Sequence, residues 1–590
     1  MAHVNERTPL LGGSSQPNDE RHQNPRPRSS TPLRTDANGH VLEMPPASFL
    51  APILASVWVP VFVASLDGTI VATLVSSISS EFGHSEQSAW LGTAYLLSFA
   101  AFSPIYARLC DFIGRKTSMM VALTFFTVGT LCCGLSKSMN ALLVSRAIAG
   151  IGGGGIPTIT SVIMSDLVPL RNRGLLQGWT NLVYGAAAAL GGPLGGFMND
   201  RTGWRFAFLV QIPLLVVAYF SILKFVPSAP RKKIEAEQLP SADSSADANP
   251  AVSHATRIAS FLRFLVDIDL PGVIFLISSI VTILMAVSFM SANDLELRDP
   301  KVVSLLAVGL FSVVSFILTE WRCGRREQHG AKPVLPLRLL ATRTGAGVAF
   351  SNFFLAFFSF SILYQFPLFF QTVLLKSASV AGLHLIPNSV GLSMGSVFAG
   401  WYMRKTGRFY WLNLSNAIVM TLASLAVLNL SEKTPTWWTY AAIFPNGFGV
   451  AAVLTCTLIA AINDVQYKDV AVMTGMTYLF RSNAQVLGVA LSGVLLQTVL
   501  KEQLRDRITG PGAEEIISKI RHQASIVPTL SPELQRAAIE SYRVALRAVF
   551  LCTTITGVLV IVFCAIIGDV PLPEHAKANE DEEEVGEQEA

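Results

Sequence analysis

Three charged side chains, Asp67, Arg146 and Arg481, lie well inside long apolar runs of this 590-residue chain. A charge at membrane depth is expensive unless it faces a water-filled cavity or a partner. Burial favours the neutral form of a carboxylate, whereas a nearby cation favours its charged form. We therefore predict that Asp67 carries a proton, and that Arg146 tunes the pKa of Asp67 if the two residues approach each other. A structural ion pair that never titrates is the alternative role, and Arg481 either balances a second site or pairs near the cytoplasmic end of its run.

A second pattern is a charged loop that occurs twice. The stretch from Ala107 to Lys116 reads A-R-L-C-D-F-I-G-R-K, and a weaker copy, G-W-Y-M-R-K-T-G-R, runs from Gly400 to Arg408. The glycine in each loop permits a tight turn, and the flanking charges hold the loop at a membrane surface. Two such loops between apolar runs indicate a chain built from two repeats.

The elements that must position these groups are membrane-spanning helices. The chain is 51% apolar and only 14% charged, whereas a soluble domain carries about 25% charge. An all-α integral membrane protein follows, because runs of roughly 20 apolar residues are the signal of a spanning helix. Fourteen runs are present, at about 52–74, 89–106, 118–135, 141–164, 174–197, 206–226, 270–291, 302–321, 346–372, 380–402, 411–430, 438–461, 474–498 and 547–567.

Charge asymmetry between the loops predicts the orientation. With a cytoplasmic N-terminus, the five short cytoplasmic loops hold fifteen Lys and Arg, and the six short loops on the other side hold seven. This bias fits the positive-inside rule, and an even number of spans returns the C-terminus to the cytoplasm. The basic residues thus set topology, so we predict no nucleic-acid partner. The seven cysteines show neither a C-x-x-C pair nor metal-ligand spacing, so we predict no metal site.

The position of the second loop also predicts the domain organisation. This loop follows the tenth span, so spans 1–6 and 9–14 form the repeats and spans 7–8 are an insertion. Composition marks the tails and linkers as polar and disordered. The predicted segments are a cytoplasmic tail 1–48, a first repeat 49–226, a linker 227–268, two inserted spans 269–321, a cytoplasmic loop 322–345, a second repeat 346–568 and an acidic tail 569–590. Within the second repeat, the long extracytoplasmic loop 499–546 is expected to form amphipathic helices on the membrane surface or on the protein.

These motifs together resemble those of the major facilitator superfamily. Ala107–Lys116 resembles its motif A, Arg146–Gly155 its motif B and Gly191–Gly196 its motif C. Gly203–Phe206 resembles the W-R-x-x-F signature of the 14-span drug:proton antiporter branch. Within that branch, L-D-G-T-I-V-A-T around Asp67 and S-D-L-V-P-L-R-N-R-G after the fourth span look most like fungal vacuolar basic amino-acid transporters.

The resemblance implies roles for two groups of residues. It implies a major facilitator fold with a cytoplasmic latch, in which the motif A arginine lies near the acidic end of span 4, and a helix-packing motif in span 5. The latch residues would be Asp111, Gly114, Arg115 and Asp166. The packing residues would be Gly192, Pro193, Gly195 and Gly196.

Substrate sites of secondary transporters lie near the membrane midplane between the repeats. Candidates are Asp67 and the polar residues of otherwise apolar spans, although each could instead form interhelical hydrogen bonds. They are Asn181, Tyr184, Asn352, Tyr364, Gln365, Gln371, Asn388 and Asn446. No P-loop is present, so we expect the proton gradient, rather than a cofactor, to drive transport.

The resemblance, rather than the chemistry of the residues, implies the predicted function, which is proton antiport of basic amino acids (Arg, Lys and His) into the vacuole by alternating access. No nucleophile–base arrangement is visible, so we expect no enzymatic activity. A plasma-membrane multidrug:proton exporter and a non-transporting nutrient sensor are the alternatives. The expected partners are protons, a small cationic substrate, membrane lipid and a sorting adaptor. The adaptor is suggested by Glu6, Leu10 and Leu11, which resemble an acidic dileucine signal for a vacuolar membrane protein with both termini in the cytoplasm.

Overall fold

A computed structural model describes most of the chain as helix. The described residues are 34–35, 41–42, 47–82, 90–168, 170–226, 270–292, 297–325, 335, 337–376, 378–466, 469–510, 512–522 and 524–572. Residues Met1–Met44 form one compact unit and Pro45–Ala590 a second. In the first unit, two-residue strands β1 (Arg34–Thr35) and β2 (Val41–Leu42) pair antiparallel. The dileucine-like signal, the linker 227–268 and most of both tails lie outside the described residues.

The second unit is all-α. Its helices are α1 (Ala47–Phe82), α2 (Trp90–Ile113), α3 (Arg115–Leu135), α4 (Met139–Leu167), α5 (Leu170–Thr202), α6 (Trp204–Leu209), α7 (Gln211–Phe225), α8 (Leu270–Ala292), α9 (Pro300–Arg325), α10 (Leu337–Leu340), α11 (Arg343–Thr372), α12 (Ala378–Leu383), α13 (Ile386–Thr406), α14 (Tyr410–Leu428), α15 (Thr436–Ala441), α16 (Phe444–Asn463), α17 (Val470–Arg507), α18 (Ala513–His522) and α19 (Pro532–Ile566).

Eleven segments among the described residues are long and apolar enough to cross a membrane. Three further long helices, α2, α5 and α13, stand where the sequence predicts spans 2, 5 and 10, and they carry more polar residues. Spans 6 and 12 each consist of a short helix followed by a longer one, α6 with α7 and α15 with α16. The helices are thus consistent with fourteen spans, with ends that extend beyond the apolar runs.

The helix contacts repeat in the two halves. In the first half α1 packs on α5 and α7, and α4 packs on α2 and α3. In the second half α11 packs on α17 and α19, and α16 packs on α13 and α14. The two largest contacts between the halves are also equivalent, since α5 packs on α13 and α2 packs on α17. Helices α8 and α9 pack on each other, and α8 also contacts α2 and α17, as an inserted pair would.

The two charged loops form tight turns between successive helices. Gly114 joins α2 to α3 with φ of 86°, and Gly407 ends α13 in the left-handed conformation with φ of 68°. These dihedrals favour glycine, because a Cβ would clash with the backbone. Both loops follow the second helix of their repeat, so in two equivalent repeats they occupy the same end of the molecule. We call this the latch end and the opposite end the far end.

The seam between α5 and α13 is tight only near the latch end. A Cβ built at Gly178 would lie 2.9 Å from the backbone oxygen of Ser396, and Gly174 and Gly185 also face α13 closely. Gly192 and Gly196 lie on the same face of α5, because Gly192 follows Gly185 by seven residues and Gly196 follows Gly192 by four. At Gly192 the nearest atom belongs to α1 at 3.7 Å, and at Gly196 nothing lies within 4 Å among the described residues. The halves therefore touch at the latch end and separate beyond Gly185.

The described residues of the long loop 499–546 are largely helical and pack on the protein. Helix α17 continues to Arg507, α18 follows, a 3₁₀ turn covers Ala524–Thr529, and α19 begins at Pro532. The buried residues Ile517 and Ile520 join the same hydrophobic core as Phe366 of α11. The Tyr542 hydroxyl donates to the Ile520 carbonyl at 2.8 Å. Of the two surfaces that the sequence left open for these helices, the second half of the protein is the one contacted.

We predict that Gly178→Val opens the latch half of the seam. The new side chain meets backbone at Ser396, and overpacking of this kind costs about 1–3 kcal/mol. Gly196→Val is the matched control, because it lies on the same face of α5 in open space. The measurement is cross-linking of Asn181→Cys to Ser396→Cys by a short bis-maleimide, in a background without the native cysteines. Gly178→Val should lower the yield several-fold, and equal yields in both variants would contradict the closed seam.

Candidate functional site: a buried ion pair and an interface cavity

The centre of the candidate site is an ion pair between α1 and α4. A guanidinium nitrogen of Arg146 lies 2.7 Å from Asp67 Oδ2, and the two side chains are 2% and 0% exposed. Arg146 Nε also donates to the Leu91 carbonyl at 3.3 Å. The Arg146 guanidinium lies over the Tyr95 ring, 4.4 Å from its centroid. The structure thus brings together the two residues that the sequence predicts for proton coupling.

Glycines of α4 make this arrangement possible. A Cβ at Gly150 would clash with the backbone oxygen of Tyr95, and one at Gly153 would clash with the Tyr95 hydroxyl. On the other side of the helix, Gly152 contacts the backbone of α3 at Phe126. The G-I-G-G-G-G run therefore lets α4 approach α2 and α3 closely, which places the Arg146 head group between Tyr95 and Asp67.

One oxygen of this ion pair has no hydrogen-bond partner. Asp67 Oδ1 is buried and unpaired among the residues that the structure describes. An unsatisfied buried acceptor usually costs about 1–3 kcal/mol, and more when charged. Oδ1 can therefore take up either a proton or a hydrogen-bond donor from a ligand, while Oδ2 keeps its contact with Arg146.

Three tyrosines lie on helices of the two halves near this site. Tyr95 packs against the Arg146 guanidinium, Tyr184 belongs to α5, and Tyr364 belongs to α11 of the second half. Tyr184 and Tyr364 are 43% and 48% exposed, so both remain accessible. They are the two substrate candidates with the largest accessible surface, and they lie on opposite halves.

A small polar cavity lies across the seam on the latch side of Tyr184. Its volume is about 10 Å³, room for one water molecule. Two cross-seam hydrogen bonds lie beside it: Asn181 Nδ2 donates to Ser396 Oγ at 2.7 Å, and the hydroxyls of Ser161 and Tyr478 are 2.8 Å apart. The polar lining comes from both halves and comprises Gln177, Asn181, Asn352, Thr477, Tyr478 and Arg481.

Several other substrate candidates form interhelical hydrogen bonds. Buried Asn352 donates to Thr457 Oγ1 at 3.0 Å, and Gln365 donates to Ser492 Oγ at 3.3 Å. Asn446 donates to Asn388 Oδ1 at 3.0 Å across α16 and α13. Of these residues, only Asn352 also lines the cavity. Gln371 lies in the last turn of α11, six residues beyond Gln365.

The residues of the predicted latch pair meet at the latch end. The helices of loop 499–546, which we call the cap, lie at the far end. Arg115 Nε lies 2.8 Å from Asp166 Oδ2, with side-chain exposures of 20% and 24%. Arg115 also donates to the Cys110 carbonyl at 3.2 Å. The side chain of Asp111, the third charged residue predicted here, lies outside the described atoms. Partly exposed pairs contribute only about 0–1 kcal/mol, so this pair can bias a conformational equilibrium but contributes little to folding.

The packing motif of α5 is shifted from the predicted residues. Gly195 does face α1, where an added Cβ would lie 2.5 Å from Thr73 Oγ1. The tightest approach is at Gly191, which the sequence analysis did not select and where a Cβ would clash with Thr69. Pro193 is exposed, and Gly192 and Gly196 leave space around them. Of the four predicted packing residues, Gly195 makes the closest approach to α1, because about one position per turn of α5 can face that helix.

Glu81, Trp204 and Arg205 form a cluster at the far end. The sequence analysis pointed to Trp204 and Arg205 through their signature but not to Glu81. Arg205, part of the W-R-x-x-F signature, pairs with Glu81 at 2.7 Å, and Trp204 Nε1 donates to the same carboxylate. The Arg205 hydrogen bond holds the pKa of Glu81 below its usual range. The Glu81 carboxylate is therefore ionised above a typical glutamate pKa of about 4.3. Its ion pair with Arg205 is lost only as the pH falls through the lowered pKa. Glu81 follows the apolar run of span 1, so no intramembrane charge signalled it.

The fold and site define a class of protein: a helical membrane transporter of two repeats, with a buried ion pair and a polar cavity where the repeats meet. The chain belongs to the Major Facilitator Superfamily, whose sequence profile matches residues 57–489. The family consists of transporters, so the chain is not expected to be an enzyme. Among the described residues, no group of three or more His, Cys, Asp or Glu could hold a metal ion.

Three fungal relatives cover most of the chain. It is 36% identical over 507 residues to the multidrug resistance protein fnx1 of Schizosaccharomyces pombe, covering 85% of this chain and 90% of the relative. It is 32% identical over 515 residues to the vacuolar membrane amino acid uptake transporter fnx2 of the same organism, with coverages of 87% and 83%. It is 30% identical over 489 residues to vacuolar basic amino acid transporter 2 of Saccharomyces cerevisiae, with coverages of 82% and 98%.

A solved structure supports the fold. The proton:xylose symporter XylE, a major facilitator protein, superposes with a TM-score of 0.54 at 13% identity, covering 89% of this chain and 98% of that one. At this identity the similarity shows the fold alone. The expected all-helical major facilitator architecture is thereby confirmed.

We predict that Arg115→Ala and Asp166→Ala each slow transport strongly and that the double variant is no worse than either single variant. Once one partner is gone, the second loss removes nothing further. The measurement is the initial transport rate per molecule in vesicles, from the four members of the cycle. The exposed pair Arg505 and Glu514 of the cap, 2.9 Å apart, gives a matched control cycle. Additive losses at Arg115 and Asp166 would show that their contact is not a latch.

Proposed function

We propose that the protein exchanges protons for basic amino acids and loads them into the vacuole. The observation that carries this proposal is the buried Asp67–Arg146 pair with its unpaired carboxylate oxygen. A carboxylate in this setting can hold either a proton or a cationic group. Support for the substrate class comes from relatives whose names specify vacuolar transport of amino acids and of basic amino acids.

The mechanism uses one carboxylate for both ligands. The described state is closed at the latch end, so with the latch end in the cytoplasm it faces the lumen. There the high proton concentration protonates Asp67, which weakens its hold on a cationic substrate and releases it. In the cytoplasm-facing state Asp67 loses the proton, and its carboxylate becomes available to the next substrate. Exchange follows because proton and substrate compete for the same group.

Arg146 sets the strength of both interactions. Its guanidinium lies 2.7 Å from Oδ2 and already occupies one side of the carboxylate. A substrate ammonium or guanidinium approaching Oδ1 has to share the carboxylate with Arg146. Sharing prevents the substrate from being held too tightly for release, which a transporter requires in each cycle.

We predict that Asp67→Asn reaches its membrane but loses proton-driven accumulation. The amide keeps the shape of the side chain but cannot ionise. The measurement is uptake of labelled Arg, Lys and His into acidified vesicles that contain equal amounts of each variant, with and without a protonophore. Glu81→Gln, an exposed acid on the same helix, is the control and should retain accumulation.

A second variant guards against misfolding, because Asp67→Asn leaves Arg146 buried without a counter-charge, which can cost about 3–5 kcal/mol. Asp67→Glu keeps the charge and should retain part of the proton-driven uptake. If Asp67→Asn still concentrates substrate in a protonophore-sensitive manner, Asp67 is not the coupling site and the mechanism fails.

The proposed location is the vacuolar membrane, with both termini in the cytoplasm. We predict that replacing Leu10 and Leu11 together by alanine diverts the full-length protein from the vacuole, because a sorting adaptor would no longer bind the tail. Fluorescence microscopy of the tagged chain measures this, and the matched control is alanine at Pro9 alone. Vacuolar localisation of the double variant would exclude Glu6, Leu10 and Leu11 as the signal.

A multidrug exporter is the second candidate, because the relative with 36% identity is named a multidrug resistance protein. The same buried carboxylate would serve a cationic drug. Uptake measurements separate the two functions, since an exporter would protect cells from cationic drugs and leave amino-acid pools unchanged. A nutrient sensor, the third possibility, would bind basic amino acids without accumulating them.

A further inference from the structure

Arg481 occupies a different depth from the Asp67 pair. Helix α17 begins at Val470, so Arg481 lies eleven residues into it, about 16 Å from the latch end at 1.5 Å per residue. This is close to the middle of a hydrocarbon layer of about 30 Å. The sequence left open a pairing near the cytoplasmic end of the span, but the longer helix places Arg481 three turns inside.

The surroundings of Arg481 are polar but carry no opposite charge. No ion pair to Arg481 is present among the described residues, and its guanidinium lies 5.6 Å from the centroid of the Tyr478 ring on its own helix. It lines the interface cavity with the amides of Gln177, Asn181 and Asn352. A cation at membrane depth with amide donors around it, and without a carboxylate partner, is suited to an anionic ligand.

We propose that Arg481 and the amide of Asn181 form a subsite for the α-carboxylate of the transported amino acid. The proposal rests on the proposed function and adds to it a zwitterionic substrate held at both ends. The side-chain cation lies toward Asp67, and the carboxylate lies in the cavity between the halves. Arg481 supplies a charge-assisted hydrogen bond, and Asn181 contributes a neutral one.

The two subsites lie at different depths. Counted from the first residue of each helix, Arg481 lies about 16 Å along α17 and Asp67 about 30 Å along α1 from the latch end. A basic amino acid carries its cation and its carboxylate at opposite ends, about 7 Å apart in lysine, and so presents them at two depths. Tyr184, one turn beyond Asn181 on α5, lies between the two depths and is accessible.

Carboxylate binding would also act on the seam. In the described state Asn181 Nδ2 donates to Ser396 Oγ across the halves at 2.7 Å. The cavity has room for only one water molecule, so a carboxylate enters only as the seam widens and Asn181 leaves Ser396. A ligand that competes for a cross-seam hydrogen bond favours the state in which the latch end is open. The carboxylate thus distinguishes a substrate from a simple organic cation and couples its binding to opening.

The test compares each amino acid with the amine that lacks only its carboxylate. The pairs are lysine and cadaverine, arginine and agmatine, and histidine and histamine, each as a labelled substrate for vesicles containing the full-length protein. Wild-type kcat/KM should be about 10- to 100-fold higher for the acid, the factor expected for one or two charge-assisted hydrogen bonds. Arg481→Gln should remove this preference by raising KM for the acids, with little effect on the amines.

Two further variants control for structure. Arg481→Lys keeps the positive charge and should restore part of the preference, whereas a purely structural defect would affect acids and amines alike. Arg505→Gln, an exposed arginine on the same helix, should leave the preference unchanged. Equal wild-type transport of acids and amines, or parallel losses in Arg481→Gln, would overturn the subsite while leaving basic amino-acid transport intact. Absence of transport of all three amino acids would instead overturn the proposed function, and the subsite with it.

Discussion

The buried ion pair between Asp67 and Arg146 is the interaction that the first half is built to hold. Two charges removed from water each lose several kcal/mol of solvation, and only close contact with a partner recovers it. The 2.7 Å contact requires α1, α2 and α4 to meet at one point, and the glycines facing Tyr95 allow this. Because Oδ1 stays unpaired, the pair is incomplete in a way that a proton or a cationic ligand can correct.

The second constraint is the equivalence of the two interfaces between the halves. Helices α5 and α17 are the fifth spans of the two repeats, and α2 and α13 are the second spans. The contact of α5 with α13 is therefore equivalent to the contact of α2 with α17. Along α5, glycine contacts bring the halves together at Gly174, Gly178 and Gly185, whereas Gly196 has open space. The same helix face that is open in this state carries small residues, which would permit close approach in a state that closes the far end. The small residues on this one face of α5 therefore allow the halves to meet either at the latch end or at the far end.

Much of this architecture could be predicted from the sequence, for a physical reason. Long apolar runs, intramembrane charges and charged glycine turns are strong signals, because lipid tolerates few alternatives. The rotation of each helix is a weaker signal. Most faces of these spans are apolar, so periodicity cannot show that Gly191, rather than Gly192, faces α1. Polar residues are equally ambiguous, since Asn388 and Asn446 bond each other whereas Tyr184 is accessible. Glu81 gave no signal because an acid at a helix end is ordinary.

The contact between α1 and α5 connects the two constraints. A proton can shift a conformational equilibrium only if the two states bind it differently, so the proposed mechanism requires Asp67 to change its surroundings when the seam moves. Helix α5 contacts both the seam and the helix that carries Asp67. One face forms the seam with α13, and Gly191 and Gly195 on another face contact α1 at Thr69 and Thr73, within two turns of Asp67. No side chain of α5 stands between the two backbones there, so α5 cannot tilt at the seam without displacing α1. The latch pair at 20–24% exposure is too weak to store the energy of switching. In the proposed mechanism the proton at Asp67 drives the switch, and the contact of Gly191 and Gly195 with α1 links Asp67 to the seam.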